Sequence, residues 1–225
     1  MKNEERRNEW IEKQLKSIPD GLRILDAGAG ELRWKKFCSH LEYVSQDFCQ
    51  YHGGDGEGLQ VETWNTFGIN IISDIIDIPV EDNTFDIILC SEVLEHIPNP
   101  EMAIKEFSRI LKPGGMLILT APFCSLTHMA PYYFCTGFSK YWYETKLKQY
   151  DFEISEIVEN GNFFSYMQQE LNRFPYVFKT YYSKTNFFVI ALGKILSLLL
   201  KRYENIKNES SELLCFGLFL RAIKK

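Results

Sequence analysis

The six cysteines include no Cys-x-x-Cys pair, which argues against a thiolate zinc site and a disulfide frame. Scattered, reduced thiols are expected, as in a cytoplasmic protein. Positive charge is not in excess either: 25 Lys and Arg stand against 30 Asp and Glu, for a formal net charge of −5. Such a chain has no overall basic field to collect nucleic acid, and no nucleic-acid partner is expected. The opening MKNEERRNEW lacks the apolar stretch of a secretory signal. The strongly apolar Asn186–Leu200 (NFFVIALGKILSLLL) is interrupted by Gly193 and Lys194, and its 15 residues fall short of a membrane span, which takes roughly 20. It reads as a buried helix of a C-terminal insertion. The alternative is a helix lying in the membrane interface, a peripheral contact helped by Lys201 and Arg202 just beyond it.

With 45% hydrophobic and 24% charged residues, the 225-residue chain is large enough for one well-buried core. Its elements alternate. Ile11, Leu15 and Ile18 have helical spacing, and LRILDAGAG is an apolar run ending in glycines, as in a buried parallel strand that opens into a loop and helix. Trp34, Phe37, Cys38 and Leu41 would be the inner stripe of that helix. YVSQD, INIISD, FDIILC and MLILTA are the next four strands. Asn99-Pro100-Glu101 opens a helix carrying Ala103, Phe107, Ile110 and Leu111, and KPGG stops it. The final ELLCFGLFLRAIKK is a closing strand. This rhythm predicts an α/β, doubly wound, Rossmann-like parallel sheet in a single domain over 1–225, with a helical insertion at about 162–211 before the last strand. That insertion is expected to pack over the carboxyl-end face of the sheet.

In such a sheet ligands bind at the carboxyl ends of the strands. The loop Asp26-Ala27-Gly28-Ala29-Gly30-Glu31 lies there, but Arg33 stands where a dinucleotide fingerprint needs its third glycine, and Asp26 and Glu31 would repel a pyrophosphate. Those acids suit a cationic ligand without phosphate, and S-adenosylmethionine is one. Asp47 ends the second strand, where it can accept both ribose hydroxyls. Asp74 ends the third, where it can accept an adenine amino group beside an apolar wall from Ile75. Tyr51–Gln60 (YHGGDGEGLQ) is read as a surface loop; its Asp55 and Glu57 lack calcium-loop spacing.

The order ILDAGAG, QD, SDIIDIPVEDNTFDIILCSEVLEHIPNP, EFSRILKPGGMLILTAP resembles a class I S-adenosylmethionine-dependent methyltransferase over about residues 20–160. The resemblance implies seven strands, the last antiparallel, and S-adenosylmethionine as cofactor. It places Asp26, Ala27, Gly28 and Gly30 at the methionine end, Asp47 and Phe48 at the ribose and Asp74 and Ile75 at the adenine. Cys90 and Ser91 end the fourth strand beside the donor. Glu31 departs from the small residue common at its position.

SEVLEH (Ser91–His96) then lies beside the transferable methyl. Similar turns occur in ubiquinone-pathway O-methyltransferases and in small-RNA 2′-O-methyltransferases, where the acids and the histidine bind a divalent metal; the latter group adds another histidine after the fifth strand, the neighbourhood of His128 here. The chain lacks the basic surface of an RNA enzyme, and Pro98 and Pro100 keep the turn short. The expectation is therefore no metal, with Glu92 and His96 positioning substrate or donor. His128, Tyr132 and Tyr133 form a loop resembling the His-x-x-Pro-Tyr stretch of surface-polysaccharide methyltransferases, while Phe138, Tyr141 and Trp142 are spaced as a helix core stripe. The catalytic set is thus His128 as base, His96 as its alternate, and Glu92 orienting one of them. The expected reaction is O-methylation of a sugar or glycan-precursor hydroxyl. Alternatives are O- or C-methylation of a lipophilic quinone-like acceptor and a non-catalytic donor-binding subunit.

Overall fold

The computed structural model describes residues 3–53, 58–59, 63–182, 186–204 and 209–225. The chain forms two compact units, Met1–Val158 with Gly217–Lys225, and Glu159–Phe216. The element order is α1 (Asn3–Lys16), β1 (Arg23–Ala27), β2 (Glu42–Asp47), β3 (Ile71–Ile72), β4 (Phe85–Ser91), α2 (Pro100–Ile110), β5 (Leu111–Pro122), α3 (Lys140–Gln149), β6 (Phe152–Asn160), α4 (Phe163–Tyr181), α5 (Phe187–Glu204) and β7 (Gly217–Lys224).

The seven strands lie in the order β3-β2-β1-β4-β5-β7-β6. From β3 to β5 the pairs are parallel, and β7 runs antiparallel to β5. Both faces of the central strands are covered. Ile24, Ile87, Leu89 and Ile118 pack with Ile11 and Leu15 of α1. Leu25, Ile88, Leu117 and Leu119, which alternate to the other face, are equally buried. Helix α2 buries Ala103, Ile104, Phe107 and Ile110. Its start is at Asn99, as the sequence predicts, although that side chain makes no capping bond.

Three local expectations are corrected. The connection from β1 to β2 is not an α-helix but a series of turns ending in a short 3-10 turn, Lys35–Phe37. Leu32 has φ 58, and a left-handed residue there interrupts helical propagation. Trp34 and Cys38 are nevertheless buried. The third strand shrinks to two residues because the Asn70 side chain replaces part of the ladder, accepting from the Ser45 N–H (3.0 Å) and Oγ–H (2.9 Å). In α3 the inner residues are Tyr143 and Leu147; Phe138 is buried just before the helix, and Tyr141 is exposed.

In the second unit, α4 opens with a capping box between Asn162 and Ser165. It packs on α5 at Gly193, where a Cβ would meet the Phe174 ring at 3.3 Å. The Gln168 amide donates to Ser197 O (2.8 Å). The expectation of a buried apolar helix is not met. Phe187, Phe188, Leu192, Ile195, Leu198 and Leu199 are all exposed, because the small residues Gly193 and Ser197 form its inner line. Among the described residues no helix is long and apolar enough to cross a membrane.

Candidate functional site

The donor corner is built from the ends of β1 and β2. The Gly28 and Ala29 N–H groups both donate to Gln46 O (2.9 Å each), and the Gly30 N–H donates to Asp47 Oδ2 (2.9 Å). Gly28 (φ 74) and Gly30 (φ 50) take left-handed conformations that favour glycine. Space is lacking too: a Cβ at Gly28 would sit 2.4 Å from Val93 Cγ2, and one at Gly30 2.7 Å from the Trp64 ring. These three N–H groups are spent on β2, so they do not form the nest that cradles a pyrophosphate.

The acids here are held by the fold. Asp47 also accepts from the Cys49 N–H (2.8 Å), which fixes the carboxylate from a second side. Asp26 is 1% exposed and accepts the Tyr43 hydroxyl at 2.6 Å. Burial pushes its pKa up to about 7 against the opposing Tyr43 bond, and the charge of Asp47 adds to the rise. A cation at this loop would counter both burial and that repulsion.

Asp74 is exposed, and its Oδ1 accepts the Ile76 N–H (3.1 Å). Ile75 beside it is buried. Their turn is tied to α2: Glu106 Oε1 accepts from Ile78 N–H (2.8 Å), and Arg109 donates to Ile78 O (2.9 Å) and Val80 O (2.8 Å). Ala27 and Cys90 are fully buried partners in the β1–β4 register, and Ser91 Oγ meets Thr120 Oγ1 at 3.0 Å. Phe48 stands edge-on to Tyr132 (5.0 Å between centroids), and Tyr132 in turn meets Tyr51 (6.3 Å). Asp55 and Glu57 lie outside the described residues, but Leu59 at the far end of their loop bridges to His128, and its N–H donates to Thr127 O (3.0 Å).

The second corner follows β4. Glu92 has φ 56 and turns its carboxylate to Arg7, whose Nη1 donates to Oε2 at 2.7 Å. The acid at the imidazoles is instead Glu95, on the 3-10 turn Leu94–His96. It is completely buried, and neither carboxylate oxygen has a hydrogen-bond partner. Burial, with the charge of Glu92, raises its pKa well above the usual carboxylate range. Nε2 of His96 and Nε2 of His128 lie 3.7 and 3.9 Å from Glu95 Oε1. The His96 Nδ1 meets Tyr132 O at 2.5 Å, and the His128 Nδ1 meets Leu126 O at 2.9 Å. A carbonyl only accepts, so both Nδ1 atoms carry the proton. Burial, reinforced by His128, pushes the His96 pKa down to about 4 against its carbonyl bond, so its ring is neutral at pH 7.

Of the residues expected from sequence, the structure brings together Asp26, Gly28, Gly30 and Asp47 as one group and His96 with His128 as another. Asp74 stands at the exposed end of β3, and Glu92 is turned aside. Gln46, Tyr43, Trp64 and Val93 were not foreseen as site residues, and Glu95 enters the sequence reading only through the metal alternative for SEVLEH. Glu95 had a signal, since it directly precedes His96; Trp64 over Gly30 had none.

Residues 25–119 match the model of the family described as "Methyltransferase domain". A demethylmenaquinone methyltransferase of Staphylococcus carnosus is 32% identical over 117 residues, 48% of this chain and 47% of that protein. The chain thus spans about half the length of the curated relatives it matches. Among solved structures, a geranyl diphosphate methyltransferase in complex with SAM superposes with TM-score 0.57 at 13% identity, covering 97% of this chain and 84% of that one. The cyclase SpnF superposes with TM-score 0.56 at 18% identity, covering 97% and 80%. The fold is therefore shared by enzymes of different chemistry. Buried acids, a glycine loop whose N–H groups are committed to β2, and an apolar Ile75 wall fit a cationic adenosyl cofactor. Over residues 25–119 the chain matches the methyltransferase-domain family, and its cofactor is S-adenosylmethionine.

Proposed function

We propose that the protein transfers the methyl group of S-adenosylmethionine to a hydroxyl oxygen of a sugar or glycan precursor in the cytoplasm. The observation that carries this reading is the imidazole pair of His96, in the turn after β4, and His128, in the loop after β5; Val93 of the same turn packs on Gly28 of the donor loop. The donor supplies an activated methyl: the O–C bond forms as the C–S bond breaks, the electron pair stays on sulfur, and the hydroxyl proton leaves for a base. The protein's share is alignment and proton removal. With Nδ1–H fixed on Leu126 O, His128 presents Nε2 as the accepting atom, and His96 is placed to do the same. Such a base contributes about 10²–10⁴-fold. The Tyr133 ring lies against His128 and the Tyr132 ring against Phe48, and such aromatic surface suits a sugar ring. Six free thiols support the cytoplasmic setting.

Labelled S-adenosylmethionine with a panel of nucleotide sugars, glycan precursors and demethylated quinols tests the reading. Label recovered as a sugar methyl ether is the expected result. Label carried only by the quinol would overturn it, and donor binding without transfer to any acceptor would favour a non-catalytic subunit. A lipophilic acceptor is the second reading, favoured by the exposed apolar side of α5 and by the name of the staphylococcal relative, whose match covers the donor-binding half.

A further inference from the structure

We propose that Glu95, His96 and His128 are the protein ligands of a divalent metal ion, contrary to the sequence expectation of no metal. One ligand atom from each of the three residues lies within 4.8 Å of the others. The separations of 3.7 and 3.9 Å between the Nε2 atoms and Glu95 Oε1 are too long for hydrogen bonds. The edge of a tetrahedral sphere with bonds of about 2.0–2.2 Å is about 3.4 Å, so the 3.9 Å pair needs to close by about half an ångström and the widest pair, within 4.8 Å, by up to about 1.4 Å.

Two independent features point the same way. Each histidine gives its Nδ1–H to a backbone carbonyl, Tyr132 O or Leu126 O, which orients Nε2 and sets the tautomer in the manner of metal-ligating imidazoles. Glu95 is buried with both carboxylate oxygens lacking a hydrogen-bond partner. A buried carboxylate without donors is destabilising, and a cation is the partner that compensates it. Glu92 is not part of the set, because Arg7 holds it.

Two imidazoles and one carboxylate form a borderline donor set suited to zinc and related transition ions, whereas magnesium and calcium favour all-oxygen shells. Three protein ligands leave a position open for an acceptor oxygen. With the ion bound, both Nε2 atoms are ligands and no longer accept the proton; a hydroxyl held at the open position would instead lose it to solvent at lower pH than when free. This last role rests on the proposed methyl transfer; the binding of the ion does not.

Calorimetric titration of the untagged full chain with Zn²⁺, and separately with S-adenosylmethionine, tests the site. One equivalent of Zn²⁺ is expected, with affinity falling about 100-fold or more in Glu95→Gln and in His128→Asn. Glu92→Gln should retain the ion, and Mg²⁺ should bind far more weakly. The His128 change lies in a loop, so it keeps the test open should Glu95→Gln fail to fold. Zn²⁺ bound equally by wild type and His128→Asn, or bound by neither, while S-adenosylmethionine still binds, would overturn the metal site alone. Zn²⁺ bound without any donor binding would overturn the methyl-transfer reading and leave the site standing.

Discussion

Asp26 and Glu95 are both buried carboxylates at the carboxyl end of neighbouring strands, yet the fold treats them in opposite ways. Asp26 is given the Tyr43 hydroxyl, and the loop above it spends its N–H groups on Gln46 and Asp47. The Glu95 carboxylate has no hydrogen-bond partner, only two imidazole nitrogens just beyond reach. Burial opposes the charge of both acids, but Asp26 keeps a hydrogen-bond partner, whereas an acid left without one is a cost that folds retain where a ligand or reaction uses it. The donor corner is therefore preformed by internal bonds, and the other corner is left open for what binds there.

The largest expected effect sharpens this contrast through pH. The Asp26 pKa is raised from 3.8 to about 7 in the folded chain, so the folded state holds the proton more tightly than the unfolded one. Stability linked to Asp26 is full below about pH 4 and is lost as pH rises through about 7, by up to about 4 kcal/mol. Urea denaturation of the ligand-free protein across this window should show the slope, and Asp26→Asn, which keeps an acceptor for Tyr43, should flatten it. An equal slope in the mutant would remove Asp26 as the cause. Donor binding should also tighten as pH rises toward 7 in wild type and not in Asp26→Asn.

A smaller effect of the opposite sense is expected at Glu95. Glu95→Met removes an unpaired buried acid without orphaning any partner, so the metal-free protein should gain about 1–2 kcal/mol in urea denaturation. A loss of stability would show that Glu95 is paid for by contacts the contrast does not include.

The smallest effect on stability concerns α5. Phe187 and Phe188 are 79% and 78% exposed, so replacing both with serine should change stability by no more than about 0.5 kcal/mol each. If this face meets lipid, the same change should abolish flotation with anionic liposomes. Flotation unaffected by the substitutions would remove α5 as the membrane element and weaken the lipophilic-acceptor reading.

Much of the sheet domain was legible in the sequence, for a local reason. Buried parallel strands are short apolar runs, and the glycines and acids that follow them fall at the carboxyl edge whatever the rest of the chain does, as at Asp26-Ala27-Gly28 and Asp47. Helix α2 carried its own start in Asn99-Pro100, but it ends at Ile110, and Leu111 and the expected KPGG stop fall inside β5. The strands of the sheet and the residues at their carboxyl ends were thus readable from contiguous segments. Tertiary structure alone decided three things. The φ of Leu32 removed the helix expected after the glycine loop. Small residues at Gly193 and Ser197 turned the apolar side of α5 outward. The third is the chemistry after β4. Glu92 and Glu95 are equivalent acids in SEVLEH, and only Arg7, 85 positions from Glu92, and the loop carrying His128 separate an ion-paired, half-buried acid from a fully buried one facing two imidazoles. Sequence spacing sets which side chains share a turn. What each one meets is set by parts of the chain that spacing does not reach.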